Sequence, residues 1–159
     1  MSSITGGCQC GAVRYRLSAD PQNAHVCHCR MCQKATGNYF AALARVALSD
    51  ITWTRGAPSI FRSSELVERG FCRNCGTPLT FRYVNTDRIN ITLGSLDDPT
   101  AVPPIRQYGV EGRMPFMGEI ADLPGTKTED DVPADVMKRL SSRQHPDYDT
   151  PDGWSPDGT

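Results

Sequence analysis

Seven cysteines fall in three short clusters, Cys8-Gln9-Cys10, Cys27-His28-Cys29-Arg30-Met31-Cys32 and Cys72-Arg73-Asn74-Cys75. No other feature narrows the possible folds as much. In a strand, residues two apart point to the same face, so a C-x-C pair can chelate one ion. A C-x-x-C pair on a tight turn aims both thiolates at one point, and zinc accepts such ligands tetrahedrally. Gly11 and Gly76, directly after Cys10 and Cys75, should relieve crowding where backbone approaches a metal. An odd number of cysteines argues against complete disulfide pairing, and a redox reading of the C-x-x-C pairs would want a βαβ setting that this chain lacks.

Seven ligands divide as four plus three. A closed four-cysteine site is structural, whereas a three-ligand site keeps a free position, which is how catalytic zinc is built. Spacing permits two partitions. Cys29 and Cys32 with Cys72 and Cys75 would make a ribbon-like site and strand Cys8, Cys10 and Cys27. Cys8 and Cys10 with Cys72 and Cys75 would leave Cys27, Cys29 and Cys32 as a compact trio, with no orphan.

The rest of the chain reads as a turn-rich β protein. Its 159 residues suit one domain and a tail, and 14 Gly with 12 Pro indicate many turns. Hydrophobic content is a modest 38%, so a metal staple would help a small core. Strands are predicted at 12–17, 23–27, 39–46, 51–54, 59–62, 66–71, 78–84, 88–93 and 105–110, and one short helix over 131–140, where Val132, Val136 and Leu140 recur. The predicted domain is 1–123. Residues 124–159 read as a polar acidic tail, with Trp154 the residue that could lay it on the body. The body carries 13 Lys+Arg against 10 Asp+Glu and the tail 4 against 8. That balance suits a small anionic substrate better than a nucleic acid. No apolar run of about 18 residues suggests a membrane span, and the N-terminus does not read as a signal peptide. The expected location is the cytoplasm, where cysteines serve as metal ligands or catalytic groups. Oligomeric state is not legible.

Three segments resemble a known family. Gly6-Gly7-Cys8-Gln9-Cys10-Gly11-Ala12-Val13-Arg14-Tyr15, Cys27-His28-Cys29-Arg30-Met31-Cys32-Gln33-Lys34-Ala35-Thr36-Gly37 and Phe71-Cys72-Arg73-Asn74-Cys75-Gly76-Thr77-Pro78-Leu79 are similar to the motifs of the glutathione-dependent formaldehyde-activating family, which includes centromere protein V. Gly94-Ser95-Leu96-Asp97 resembles a further family segment, and the likeness covers roughly 4–120 in order and spacing. The resemblance implies a mainly β fold, a β-tent of small packed antiparallel sheets built around zinc with few short helices. It implies two Zn2+ per chain, a structural zinc on Cys8, Cys10, Cys72 and Cys75 and a catalytic zinc on Cys27, Cys29 and Cys32. The implied activity is that of a carbon–sulfur lyase, S-(hydroxymethyl)glutathione synthase-like, with a small thiol such as glutathione and an aldehyde as partners.

An open three-thiolate zinc is a good host for a fourth soft ligand, a substrate thiol, which the metal would drive to thiolate near neutral pH. That thiolate adds to an aldehyde carbon, or the site cleaves the C–S bond in reverse. Water in the open position would instead favour hydrolysis or dehydration. The rival function is a non-catalytic zinc module that binds a partner; the missing fourth ligand of the trio favours the enzyme. Arg30 and Lys34 flank the trio and are candidates for a glutathione carboxylate, with Arg62, Arg69 and Arg73 ranked lower. His28 should face away from the metal in a polar or surface role, His25 should be a half-buried histidine and His145 a solvated one. Phe40 and Trp53 read as core.

Overall fold

The computed structural model describes residues 4–140 and 142–155. The strands in chain order are β1 (Ile4–Gly7), β2 (Arg14–Leu17), β3 (Gln22–Cys27), β4 (Ala41–Ala47), β5 (Ile51–Arg55), β6 (Ser59–Arg62), β7 (Val67–Phe71), β8 (Pro78–Tyr83), β9 (Arg88–Thr92) and β10 (Arg106–Tyr108). They form two sheets, a three-stranded one in the order β1-β2-β5 and a seven-stranded one in the order β10-β3-β4-β9-β8-β7-β6. The mainly β architecture is as the sequence implies. One pair departs from the antiparallel pattern: β10 runs parallel to β3, with Arg106, Gln107 and Tyr108 opposite His25, Val26 and Cys27.

The sheets bury one apolar face against the other. Tyr15 and Leu17 of β2 pack with Ala24, Ala44, Val46, Ile89 and Ile91 of the larger sheet, and Trp53 of β5 fills in from the side. The alternation in β2 is what produces this, because Tyr15 and Leu17 share a face while Arg16 points to solvent. Tyr15 keeps its hydroxyl satisfied inside the core by donating to Ser95 Oγ at 2.8 Å, and Ser95 Oγ donates in turn to Thr92 O. The segment 39–46, predicted as a strand, is the strand β4. It lies between β3 and β9 and is covered on both faces, which suits its small alanines.

Helices are few and short. The helix α1 (Arg30–Thr36) falls where the sequence suggested only a turn. Cys29 caps its start, its Sγ accepting from Cys32 N–H, and Gly37 ends it in the left-handed conformation at φ 63°. The helix predicted over 131–140 is instead two single turns, α2 (Thr128–Asp131) and α3 (Ala134–Met137). Pro133 separates them, since proline cannot donate within a continuous helix and pushes Val132 into extended backbone.

The last described part of the tail is docked. His145 N–H donates to Gln9 O at 2.7 Å, Arg55 donates to Thr150 O and Pro151 O, and Asp149 pairs with both Arg14 and Arg16. His145, expected to be solvated, is 5% exposed. Its Nδ1 faces Pro146 O, its Nε2 faces Thr150 Oγ1, and its ring lies 4.6 Å from that of Trp154. Gly11, at φ 73°, leaves the space these rings occupy: a Cβ there would lie 2.5 Å from His145 Cδ2.

Candidate metal centres

The structure gathers the seven thiols into two groups. Cys8, Cys10, Cys72 and Cys75 form one and Cys27, Cys29 and Cys32 the other, with the sulfurs of each group within 4.8 Å of one another. All seven are free thiols. The ribbon-like pairing of Cys29 and Cys32 with Cys72 and Cys75 is thereby excluded.

The first group joins two loops. Cys8 and Cys10 follow β1, and Cys72 and Cys75 sit on the turn between β7 and β8. That turn is closed by Cys72 N–H to Thr77 O and Gly76 N–H to Cys72 O, both 2.9 Å. Gly76 is needed for its φ of 79° rather than for space, since an added Cβ would meet nothing. Cys8 and Cys72 are buried with Val13 and Leu79. The Cys8–Cys10 and Cys10–Cys72 sulfur distances are 3.6 and 3.8 Å. Zinc–sulfur bonds of about 2.3 Å in tetrahedral array place sulfurs about 3.8 Å apart, so the donor set fits such an ion. Electrostatics point the same way. Burial pushes the Cys8 thiol up to about 12, and Cys72 and Cys10 beside it add to the shift against the Val13 hydrogen bond. Burial also acts against Cys75, yet the Thr77 hydroxyl and N–H outweigh it and hold that thiol at about 6. A set that cannot lose all its protons alone is a set that a cation would complete.

The second group is local in sequence. Cys27 ends β3, Cys29 caps α1 and Cys32 lies in its first turn. Two neighbours hold this turn from behind. His28 N–H donates to Tyr108 O at 2.9 Å, and Gln33 Nε2 donates to both His28 O and Gly112 O at 2.8 Å. Burial pushes the Cys27 thiol up to about 12. Cys29 goes the other way: burial opposes ionisation, but the Cys32 N–H, the two neighbouring sulfurs and the Arg69 charge lower it. Among the described residues no His, Asp or Glu joins the three sulfurs within the same distance. His28 is not a fourth ligand. It is 2% exposed, so its surface reading is corrected, and its Nε2 lies 3.0 Å from Gln107 Oε1. His25 is also buried, its Nδ1 turned to Asn23 O.

Arg69, ranked low on sequence, is the cation at this group. Its Nη2 donates to Cys32 Sγ at 3.5 Å, its Nε donates to Ser63 Oγ, and its guanidinium lies 5.0 Å from the centre of the Phe81 ring. It is 8% exposed and pairs with no carboxylate among the described residues. The signal that finds it is tertiary: β7 places it opposite Phe81 of β8, which a linear pattern does not show. Arg69 also lines a cleft of about 560 Å³ that runs along α1 past Arg30, Met31 and Lys34 to Phe61 and Phe81. Arg30 and Lys34 are thus both on the cleft and both exposed. Arg62 and Arg73 are absent from its lining.

Residues 3–110 match the model of a family described as glutathione-dependent formaldehyde-activating enzyme. A Schizosaccharomyces pombe protein described as an uncharacterized lyase is 29% identical over 54% of this chain and 61% of its own length. A Halomonas elongata protein, provisionally named a glutathione-dependent formaldehyde-activating enzyme, is 32% identical over 48% of this chain and 54% of its own. The matches therefore span little more than half of these curated relatives. The crystal structure of a Rhodobacter sphaeroides protein shares the fold, with a TM-score of 0.52 and 25% identity over 65% of this chain and 98% of that one. No helix among the described residues is long and apolar enough to cross a membrane.

Proposed function

For a chain that belongs to the glutathione-dependent formaldehyde-activating family, we propose a zinc-dependent carbon–sulfur lyase-type activity that forms or cleaves thiol–aldehyde adducts such as S-hydroxymethylglutathione. The carrying observation is the trio Cys27, Cys29 and Cys32, three convergent sulfurs with no fourth Cys, His, Asp or Glu among the described residues, joined to the cleft through Arg69, which donates to Cys32 Sγ and lines that cleft. Cys8, Cys10, Cys72 and Cys75 would hold a structural zinc, and the trio a second, catalytic one. Zinc on the trio would supply a cation that favours the thiolate form of a substrate thiol near neutral pH.

The protein's own groups prepare that chemistry. Arg69 donates to Cys32 Sγ and offsets the negative charge of the trio from a nearly dry position. Gln33 ties the backbone between Cys27 and Cys29 to Gly112, so the turn has little freedom. Arg30 and Lys34 face the cleft from one side of α1, an i, i+4 pair that can meet a carboxylate of the thiol. In the forward direction the sulfur lone pair forms the C–S bond, the carbonyl π pair moves to oxygen, and the thiol proton ends on that oxygen. The reverse step breaks the same bond, and nothing is oxidised or reduced.

A cleft linked to the open trio through Arg69 supports an enzyme over a non-catalytic binding module of the same fold. The test is NMR exchange between formaldehyde and glutathione with the zinc-loaded full chain. Faster interconversion than in buffer, lost in Cys29→Ala, is the expected result. No acceleration would reject the named reaction.

A further inference from the structure

The cleft is more apolar than a formaldehyde adduct of glutathione needs. Its volume of about 560 Å³ suits a whole organic ligand such as a tripeptide adduct, but a polar tripeptide bearing a hydroxymethyl group offers no large apolar surface to its walls. Phe61 and Met31 present their apolar side chains at this cleft while 62% and 47% exposed. Exposed apolar groups lining one concavity are unsatisfied surface, in contrast with single hydrophobics scattered on a protein exterior. Phe81, also on the cleft, packs against the cluster of Cys32, Ala41 and Leu43, so the apolar wall adjoins the trio, whose sulfurs meet the cleft through Arg69.

Charge narrows the occupant further. Among the described residues no Asp or Glu lines the cleft, whereas Arg30, Lys34 and Arg69 do. The complement is an anion with a bulky apolar part close to the reacting centre. Glutathione alone supplies carboxylates but no large apolar side chain, so the apolar part must come from the aldehyde. Resting on the activity proposed above, we infer that the adduct handled here carries an aryl or branched-alkyl group from its aldehyde, seated against Phe61 and Phe81. The carboxylate of the thiol meets Arg30 and Lys34.

Two stable thioethers test this apart from the chemistry: S-benzylglutathione and S-methylglutathione, titrated calorimetrically into the zinc-loaded full chain. Burial of a ring predicts that the benzyl compound binds at least about tenfold more tightly. Phe61→Ala, at an exposed position that does not carry the fold, and Phe81→Ala should each shrink that preference to about threefold or less, while Lys34→Gln weakens both compounds alike. Equal affinities, a preference untouched by both phenylalanine changes, or no binding of either compound at millimolar concentration would overturn the inference. The formaldehyde exchange measurement separates the two proposals. A benzyl preference without exchange would reject the formaldehyde reaction and keep the specificity; exchange without the preference would do the reverse.

Discussion

At the residue scale, the most informative side chain is Arg69. A buried guanidinium without a carboxylate is costly unless something else carries the opposite charge. The sulfur of Cys32, 3.5 Å away, is that group once the trio is deprotonated. Groups that hydrogen-bond a metal ligand commonly change metal affinity by about 10–100-fold. Arg69→Gln should therefore keep both metals at equilibrium in excess zinc but release the trio's metal at least about tenfold faster to a chelator. Arg69→Lys should recover part of the loss. The cobalt-substituted protein gives the discriminating reading, because sulfur-to-metal charge-transfer bands of the trio should shift in Arg69→Gln, which a purely packing role would not produce. His28 carries a lesson at the same scale. Strand alternation turns it away from the sulfurs, as the sequence reading holds, but β10 then covers it, and long-range pairing of this sort leaves no local trace.

At the scale of elements, the parallel strand β10 is what fixes the trio. Its end turns sharply at Gly109, φ 62°, and a Cβ there would approach Cys29 N to 2.7 Å. The Gly109→Ala change would cost about 1–2 kcal/mol in backbone conformation alone and would push on the residue that caps α1. We expect Gly109→Ala to lose the metal of the trio while retaining that of the four-cysteine group, read by metal content and by unchanged far-ultraviolet dichroism. Much of the strand content is legible in the sequence because alternation such as Arg14-Tyr15-Arg16-Leu17 is a local signal. Both β1 and α1 were not. In Ile4-Thr5-Gly6-Gly7 two strand-favouring residues are followed by two glycines that weaken the signal, and the segment becomes a strand through its ladder with β2. The seven residues of α1 are too few for helical periodicity to declare itself, and its cap is a cysteine, a residue outside the usual capping set. The grouping of the thiols was legible up to a choice of pairings, because spacing shows which cysteines are adjacent but not which loops meet.

On the scale of the whole molecule, the acidic tail is tied to the loop that bears Cys8 and Cys10. Arg14, 3% exposed, is held by Asp97 through both guanidinium ends and by Asp149 from the tail. Burial works against ionisation of Asp149, but the Arg16 and Arg14 hydrogen bonds and charges hold its carboxyl below the usual range. A depressed carboxylate contributes stability that is complete above its unfolded value of about 3.9 and is lost as pH falls through its folded value. Undocking of the tail should accordingly begin only in acid, below about pH 4. In Asp149→Asn it should be present already at neutral pH. Fluorescence of Trp154, whose ring lies on His145, checks this against Trp154→Phe as a blank. The division into a body over 1–123 that carries both cysteine groups and a tail over 124–159 is proposed to mean a strap laid on that body, and the contacts of Asp149 and Thr150 support it.

The central claim is that four sulfurs hold the fold and three hold the chemistry. Metal analysis of the purified full chain and of two variants tests it most directly. The account predicts two zinc ions per chain in the parent protein. It predicts one in Cys29→Ala with the fold intact, and loss of folding in Cys8→Ala. A single zinc in the parent protein, or equal unfolding in the two variants, would contradict it.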